Sequence, residues 1–315
     1  MDNDAMAITA PEPLTTHWHV LGTGAIACLW AANLATSGAS ATLIARDRSR
    51  LAGYHGITVE TAAGGEHVPV TLEAADSSTP IDRLLVCTKA GDVITALAAI
   101  VRRLAGNAAI VLLQNGMGFH EEAGLLLGNR RLYCGLSTEG AWCPAPFHVR
   151  HAGRGLTLLG RYPRGTLADA MALAHELPQA RLEIRPIADT EQELWRKLAM
   201  NCAINALTAV HDRPNGALVT PGPIAGEFTA LCAEIVTILE ALGHSELAAE
   251  LPELATRVAR QTAENRSSML QDVRAGRRTE IDFINGFLCA RAREAGVPCP
   301  LNAALCARIH EFAPT

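Results

Sequence analysis

A short apolar run, His17-Trp-His-Val-Leu21, passes directly into Gly22-Thr-Gly-Ala-Ile-Ala27 and then into small and apolar residues reaching Thr36. A second run, Ala41-Thr-Leu-Ile-Ala45, follows. Strand, loop, helix and strand at this spacing form a βαβ unit, which commits the chain to a parallel sheet covered by helices. The loop reads G-x-G-x-x-A. Gly22 permits the tight turn, Gly24 lets backbone approach a pyrophosphate, and Ala27 is small enough for close helix-to-strand packing. The helix N-terminus, with Thr23, Ala25 and Ile26 about it, offers N–H donors and partial positive charge to phosphates. A bare tight turn would share the pattern, but the strand-loop-helix setting points to a dinucleotide.

Further along, Arg83-Leu-Leu-Val-Cys-Thr88 and Ala108-Ala-Ile-Val-Leu-Leu113 are continuous apolar runs suited to central parallel strands, with a helix expected between them at about 92–104. Ile57-Thr-Val-Glu-Thr and His67-Val-Pro-Val-Thr surround Ala-Gly-Gly-Glu and read as an inserted hairpin. Segments near 131–138, 147–151, 155–159 and 181–185 read as further strands. After Pro186 the period becomes helical, with breaks near 212–222, Gly243, Pro252, Gly276 and Gly296. The expected architecture is a Rossmann-like α/β half with a mainly parallel sheet over residues 17–188, then an all-α half over 189–315. Residues 1–16, with Asp2, Asp4, Glu12 and two prolines, read as a disordered leader.

At 315 residues, with 49% hydrophobic and 19% charged side chains, the chain is long and apolar enough for two cores. A net charge of −5 gives no basic footprint for nucleic acid. No apolar run approaches the roughly 18 residues of a membrane span, and the N-terminus lacks signal-peptide order. Nine scattered cysteines with no Cys-x-x-Cys pair indicate neither a zinc site nor a disulfide framework. They read as reduced thiols of a cytoplasmic protein. The oligomeric state is not fixed by sequence, and a homodimer stays open.

Dinucleotide sites that prefer NAD place a carboxylate at the end of the second strand to bond the ribose. Here that end reads Ile44-Ala-Arg46-Asp47-Arg48, and a guanidinium at Arg46 matches a 2′-phosphate. NADP is favoured over NAD, the alternative being a solvated basic loop. Cys87-Thr-Lys89-Ala90 and Gln114-Asn115-Gly-Met-Gly118 each follow a strand's carboxyl end, where ligands of open α/β sheets gather. Lys89 and Asn115 are therefore candidate walls of a cofactor and substrate cleft, or else ordinary exposed loop residues.

Within Glu191–Val210, Lys197, Asn201 and Asn205 stand four residues apart among Leu, Ala, Ile and Met. At about 100° per residue each step of four drifts roughly 40°, so the three polar groups and Thr208 share one narrow helical stripe. Polar groups among core-forming neighbours cost roughly 1–3 kcal/mol each if left unbonded, and a polar ligand would supply the bonds. The bland alternative extends the lysine to water and bonds the amides to backbone. A second constellation, Asn265, Ser268 and Asp272, falls on one face if residues 263–274 are a helix. Thr279 would then cap the next helix, with Glu280 in its first turn, where a carboxylate could simply complement the helix dipole.

Glu193-Leu-Trp-Arg-Lys-Leu-Ala-Met-Asn-Cys-Ala-Ile-Asn205, Arg213-Pro-Asn-Gly216, Glu264-Asn-Arg-Ser-Ser-Met-Leu-Gln-Asp272 and Thr279-Glu-Ile-Asp-Phe-Ile-Asn-Gly286 resemble the ketopantoate reductase family. The resemblance runs from the glycine loop to beyond residue 300, with Ala27 in place of the usual third glycine. It implies NADPH-dependent reduction of the 2-oxo acid 2-dehydropantoate to (R)-pantoate, a step toward pantothenate and coenzyme A. By the same likeness Lys197 is the general acid and Glu280 holds substrate and orders the site. Asn115, Asn201, Asn205, Asn265 and Ser268 would contact substrate or orient Lys197, while Gly22, Gly24, Arg46 and Lys89 would serve the cofactor. Other readings are a dehydrogenase of another 2-oxo acid and an NADPH-binding sensor, though a sensor has no use for a proton donor in its cleft.

Overall fold

The computed structural model describes residues 16–178 and 181–312, so all of the expected leader except Thr16 lies outside the described residues. The first half runs β1 (His17–Leu21), α1 (Ala25–Thr36), β2 (Ser40–Ala45), β3 (Ile57–Thr61), β4 (Gly64–Val68), β5 (Thr71–Ala74), β6 (Ile81–Val86), α2 (Val93–Ile100), β7 (Leu104–Leu112), α3 (His120–Leu127), β8 (Arg131–Ser137), β9 (Gly140–Ala145), β10 (His148–Gly153), β11 (Leu156–Arg161), α4 (Leu167–His175) and β12 (Glu183–Pro186). The second runs α5 (Thr190–His211), α6 (Pro223–Ala241), α7 (Ser245–Gln261), α8 (Ser268–Arg274), α9 (Asn285–Glu294) and α10 (Pro300–Phe312). An α/β half followed by helices is the order that the change of period after Pro186 implies.

The main sheet has the order β12-β11-β8-β7-β6-β1-β2-β5 and is parallel except where β11 meets β8. Chain order reverses beside β1, which pairs with β2 on one side and β6 on the other. Such a switch point opens a crevice at the carboxyl ends of the strands. The hairpin of β3 and β4 is more than an insertion. It continues through β10 into β9 as a second, four-stranded sheet.

Helix α1 lies between the two sheets, packed on β1 and β2 and also on β3, β9 and β10. Covered on both sides, it needs no polar face, and every residue from Ala27 to Leu34 is buried. Asn33, the polar exception, is satisfied: its Nδ2 donates to the Pro178 carbonyl at 3.1 Å and its Oδ1 accepts from Arg181 N–H at 2.9 Å.

Local boundaries differ from the sequence reading in three places. The helix expected over 92–104 ends at Ile100, and β7 begins at Leu104, which is buried and paired with Ile81 ahead of a register shift. Pro252 does not break α7, because it sits inside the helix on an exposed face. Residues 167–175, given no element by the sequence reading, form α4 behind a capping box of Thr166 and Asp169.

The 22-residue α5 is the axis of the helical half and touches each of α6 to α10, as well as β8 and β11 of the sheet. Leu194, Leu198, Cys202, Ala206 and Leu207 enter its core. A buried polar network closes that core: Asn285 Nδ2 donates to the Cys202 carbonyl at 3.1 Å and to Asn302 Oδ1 at 2.8 Å, and Asn302 Nδ2 donates to Glu234 at 2.8 Å. Four helices are thereby tied through the fully buried side chains of Asn285 and Asn302. No described helix is long and apolar enough to cross a membrane.

Asn285→Ala should lower unfolding stability by roughly 2–3 kcal/mol, because it strands a buried carbonyl and a buried amide oxygen. A urea midpoint unchanged from the parent chain would show that the network carries no stability.

Candidate active site

At the carboxyl ends of β1, β2 and β6 lies a cavity of about 420 Å³ whose wall includes Gly22, Thr23, Gly24, Arg46, Thr88 and Lys89. Gly22 has φ +119°, and a Cβ there would stand 3.2 Å from the Cys87 backbone, so the close turn requires glycine. Gly24 precedes α1 without a side-chain cap, no acidic residue occupies the first turn, and the space where its Cβ would project is open. Uncapped N–H groups at Ala25 and Ile26, following the Gly24 that lines this cavity, fit a dinucleotide's phosphates.

Arg46 is exposed on the wall of this cavity, 3.1 Å from Asp92. Asp47, a carboxylate just past the end of β2, lines the same cavity and is engaged by its own turn. Its carboxylate accepts from the Ser49 hydroxyl and, at 2.9 Å, from Ser49 N–H, which caps the turn Arg48–Leu51, and those bonds hold it below the usual aspartate range.

The loops after β6 and β7 dock against the segment 272–283 of the helical half. Ala90 N–H donates to Glu280 Oε1 at 3.0 Å, and Asn115 Nδ2 donates to Glu280 Oε2 at 3.2 Å. Lys89 and Arg277 both pair with the buried Asp272. Met117 N–H donates to the Phe283 carbonyl at 2.8 Å. Gly116 makes that approach possible, because a Cβ at its φ of +84° would fall 2.3 Å from the same oxygen. Burial raises Glu280 above the usual glutamate range, against the opposing pull of the Ala90 N–H, Lys89 and Asn115.

Lys197 reaches this seam from α5, and its Nζ donates to the Ser137 carbonyl at the end of β8, 2.9 Å away. The residue keeps some exposed surface, but its ammonium is enclosed by protein, and desolvation lowers it from 10.5 to about 8 despite the charge of Glu280. A water-sized cavity of about 10 Å³ adjoins it, walled by Gln114, Gly116, His120, Leu136 and Leu194 among others. Burial also takes His120 down to about 4, so its imidazole stays neutral. Along α5 the stripe divides. Asn201 Nδ2 is buried with no hydrogen-bond partner among the described residues, as a ligand-binding amide would be, whereas Thr208 is satisfied by Ile204, Asn205 and Ser267. Asn205 lies buried between them.

The second constellation is arranged differently from the expected continuous helix. Helix α8 starts at Ser268 because Ser267 caps it, accepting from Leu270 N–H at 3.1 Å, so Asn265 sits in the preceding loop and shares no helical face with Asp272. Asn265 and Ser268 are both exposed. Nor does Thr279 begin a helix. A single 3-10 turn spans Ile281–Phe283, and α9 starts only at Asn285, which frees the Glu280 carboxylate to reach Ala90 and Asn115. Gln114, His120 and the Ser137 carbonyl escaped the sequence reading. Gln114 adjoins the Asn115 that was singled out, but a backbone acceptor leaves no compositional mark.

A family model described as ketopantoate reductase PanE/ApbA matches residues 18–164, and one described as ketopantoate reductase PanE/ApbA C terminal matches residues 189–313. The 2-dehydropantoate 2-reductase of Vibrio cholerae is 35% identical over 291 residues, which cover 91% of this chain and 94% of that protein. That of Escherichia coli O157:H7 is 35% identical over 286 residues, 91% of each. Among solved structures, the PanE/ApbA family ketopantoate reductase of Ralstonia eutropha JMP134 matches with a TM-score of 0.81 at 27% identity, over 94% of this chain and 98% of that one. A ternary structure of D-mandelate dehydrogenase with NADH and anilino(oxo)acetate matches with a TM-score of 0.85 at 21% identity, over 94% and 98%, a likeness of fold alone.

Because the folded chain holds the Lys197 proton less tightly than the unfolded chain, the unfolded state alone stays protonated between about pH 8 and 10.5. More protons on the unfolded side mean that stability rises with pH across that window. Lys197→Met should abolish this rise, so the parent chain gains on the variant between pH 7.5 and 10.5 in paired urea titrations. A pH-independent difference between the two would show that the amine is not desolvated.

Proposed function

The chain belongs to the ketopantoate reductase family, and on that premise we propose that it reduces 2-dehydropantoate to (R)-pantoate with NADPH, Lys197 being the general acid. The observation that carries this reading is a desolvated amine from α5 bonded to the Ser137 carbonyl at the end of β8 and within reach of the charge of Glu280, a carboxylate fixed by the loops after β6 and β7. When bound, the nicotinamide would supply the hydride. The two halves are read as functional domains, residues 17–188 for the cofactor and 189–315 for substrate and proton.

Reduction of a ketone leaves negative charge on its oxygen, so the protein must put a donor there and deliver a proton. Lys197 can do both, since an amine near pH 8 is mostly protonated at neutral pH yet gives up its proton more readily than an ordinary lysine. The Ser137 carbonyl holds one of its protons and thereby aims the remaining ones. Glu280 stabilises the ammonium by its charge and is itself fixed by Ala90 N–H and Asn115. The unpartnered amide of Asn201 is available to a substrate oxygen, with Asn205 behind it. Asn265 and Ser268, both exposed, would bond a substrate carboxylate. Gly22, Thr23, Gly24, Ala25 and Ile26 would take the pyrophosphate, Arg46 the 2′-phosphate in exchange for Asp92, and Lys89 the region where cofactor and substrate meet.

Lys197→Ala should lower kcat by at least about two orders of magnitude while NADPH still binds, the scale of general acid catalysis. Turnover near the parent value would remove Lys197 from that role. Arg46→Ala should weaken NADPH much more than NADH, and equal losses for both would leave Arg46 without a part in cofactor choice. Loss of NADPH absorbance measured with ketopantoate beside 2-oxoisovalerate should favour ketopantoate strongly; the reverse preference would overturn the substrate assignment.

A further inference from the structure

Residues 138 and 139 are the link by which the chain leaves β8 of the main sheet and enters β9 of the second. The link carries a buried carboxylate. His151 Nε2 on β10 donates to Glu139 Oε2 at 2.6 Å, and the two side chains are 8% and 1% exposed. Glu139 Oε1 is buried with no partner among the described residues. Enclosing a carboxylate with so few bonds costs free energy that an apolar side chain of the same size would not, so packing alone does not call for it. What it holds is the stretch whose carbonyl receives Lys197. Ser137 Oγ accepts from Glu139 N–H at 3.2 Å and from the Thr157 hydroxyl at 3.1 Å, while the Ser137 carbonyl accepts from Lys197 Nζ at 2.9 Å. Thr138 is clamped to the start of β11, its N–H donating to the Leu156 carbonyl at 3.0 Å and its hydroxyl accepting from Leu156 N–H at 2.9 Å. Gly155 permits that contact, since a Cβ there would fall 2.4 Å from the Thr138 carbonyl carbon. His151 is fixed in turn by the pairing of its strand with Ala141. A continuous path of covalent and hydrogen bonds therefore runs from β10 through Glu139 and Ser137 to the ammonium.

We propose that Glu139 is a positioning residue for the proton donor: anchored on His151, it sets the direction of the Ser137 carbonyl and so the aim of Lys197. An ammonium carries three N–H bonds in fixed mutual directions, and tying one of them to Ser137 limits where the other two can point. Without the anchor on β10 the 137–139 stretch turns more freely, the carbonyl samples several directions, and the ammonium faces the substrate oxygen only part of the time. A misplacement of roughly 1 Å at a reacting group can slow a reaction about 100-fold, so a modest loss of order here is readable in the rate. This role presupposes that Lys197 is the general acid.

The test is steady-state kinetics with ketopantoate and NADPH on the full chain, in the parent and in the Lys197→Ala background. Glu139→Ala should lower kcat at least about ten-fold in the parent with the ketopantoate KM within about three-fold, yet change the residual rate of Lys197→Ala by less than about two-fold, because an absent donor cannot be misaimed. Glu139→Gln keeps an acceptor for His151 and should recover most of the parent kcat. If Glu139→Ala does not fold, Ser137→Ala stands in for it, since it keeps the carbonyl and removes only the hydroxyl that Glu139 N–H bonds. Its kcat should fall at least about three-fold, again only in chains that retain Lys197. Equal losses with and without Lys197, no recovery in Glu139→Gln, or parent-like kcat in Glu139→Ala or its stand-in would overturn the positioning role. Near-parent turnover in Lys197→Ala would instead remove the general acid, and the positioning role with it.

Discussion

The site depends on keeping an amine out of water without neutralising it. Moving Lys197 from solvent into the seam penalises its charged form, and the nearby charge of Glu280 and the Ser137 carbonyl oppose that penalty. The balance lowers the ammonium from 10.5 to about 8. A lysine free at the surface would hold its proton too well to donate it, and one buried without partners would lose it altogether. Helix α5 meets this condition by packing its apolar residues into the helical core while contacting β8 and β11 of the sheet.

The seam itself is held by groups that would be costly if separated. Asp272 is buried and accepts from both Lys89 and Arg277, so withdrawal of the sheet loops would leave a carboxylate with one cation fewer. Glu280 depends in the same way on Ala90 N–H and Asn115. Backbone contact between Met117 and Phe283 adds a bond that only glycine at 116 allows. These contacts join the loops after β6 and β7, the first of which lines the glycine-loop cavity, to the segment that carries Glu280, whose charge acts on Lys197. The surroundings of Lys197, the proposed proton donor, are thus tied to a loop that lines that cavity.

Much of this was legible in the chain because its determinants are local. The turn at Gly22, the small Ala27 and the apolar strands are written in consecutive residues, and the spacing of Lys197, Asn201 and Asn205 needs only helical geometry to put them on one stripe. What was illegible depends on distant partners. The hairpin of β3 and β4 gives no sign that Thr58 pairs with His148 of β10, because strand register is set by the tertiary neighbour. The helix read over 263–274 was periodic enough, but Ser267 competes as a cap and wins, displacing Asn265 into a loop. Glu280 looked like a first-turn carboxylate complementing a dipole, and only the approach of Ala90 and Asn115 from the other half shows where it points.

The most direct test of this account is the pH dependence of kcat/KM for ketopantoate reduction, which reports the ionisation of the free enzyme. A desolvated Lys197 acting as proton donor predicts a rate that holds through neutral pH and falls tenfold per unit above about pH 8. A profile that stays level to pH 10 would contradict it, because the donor would then be an ordinary solvated lysine or a different group.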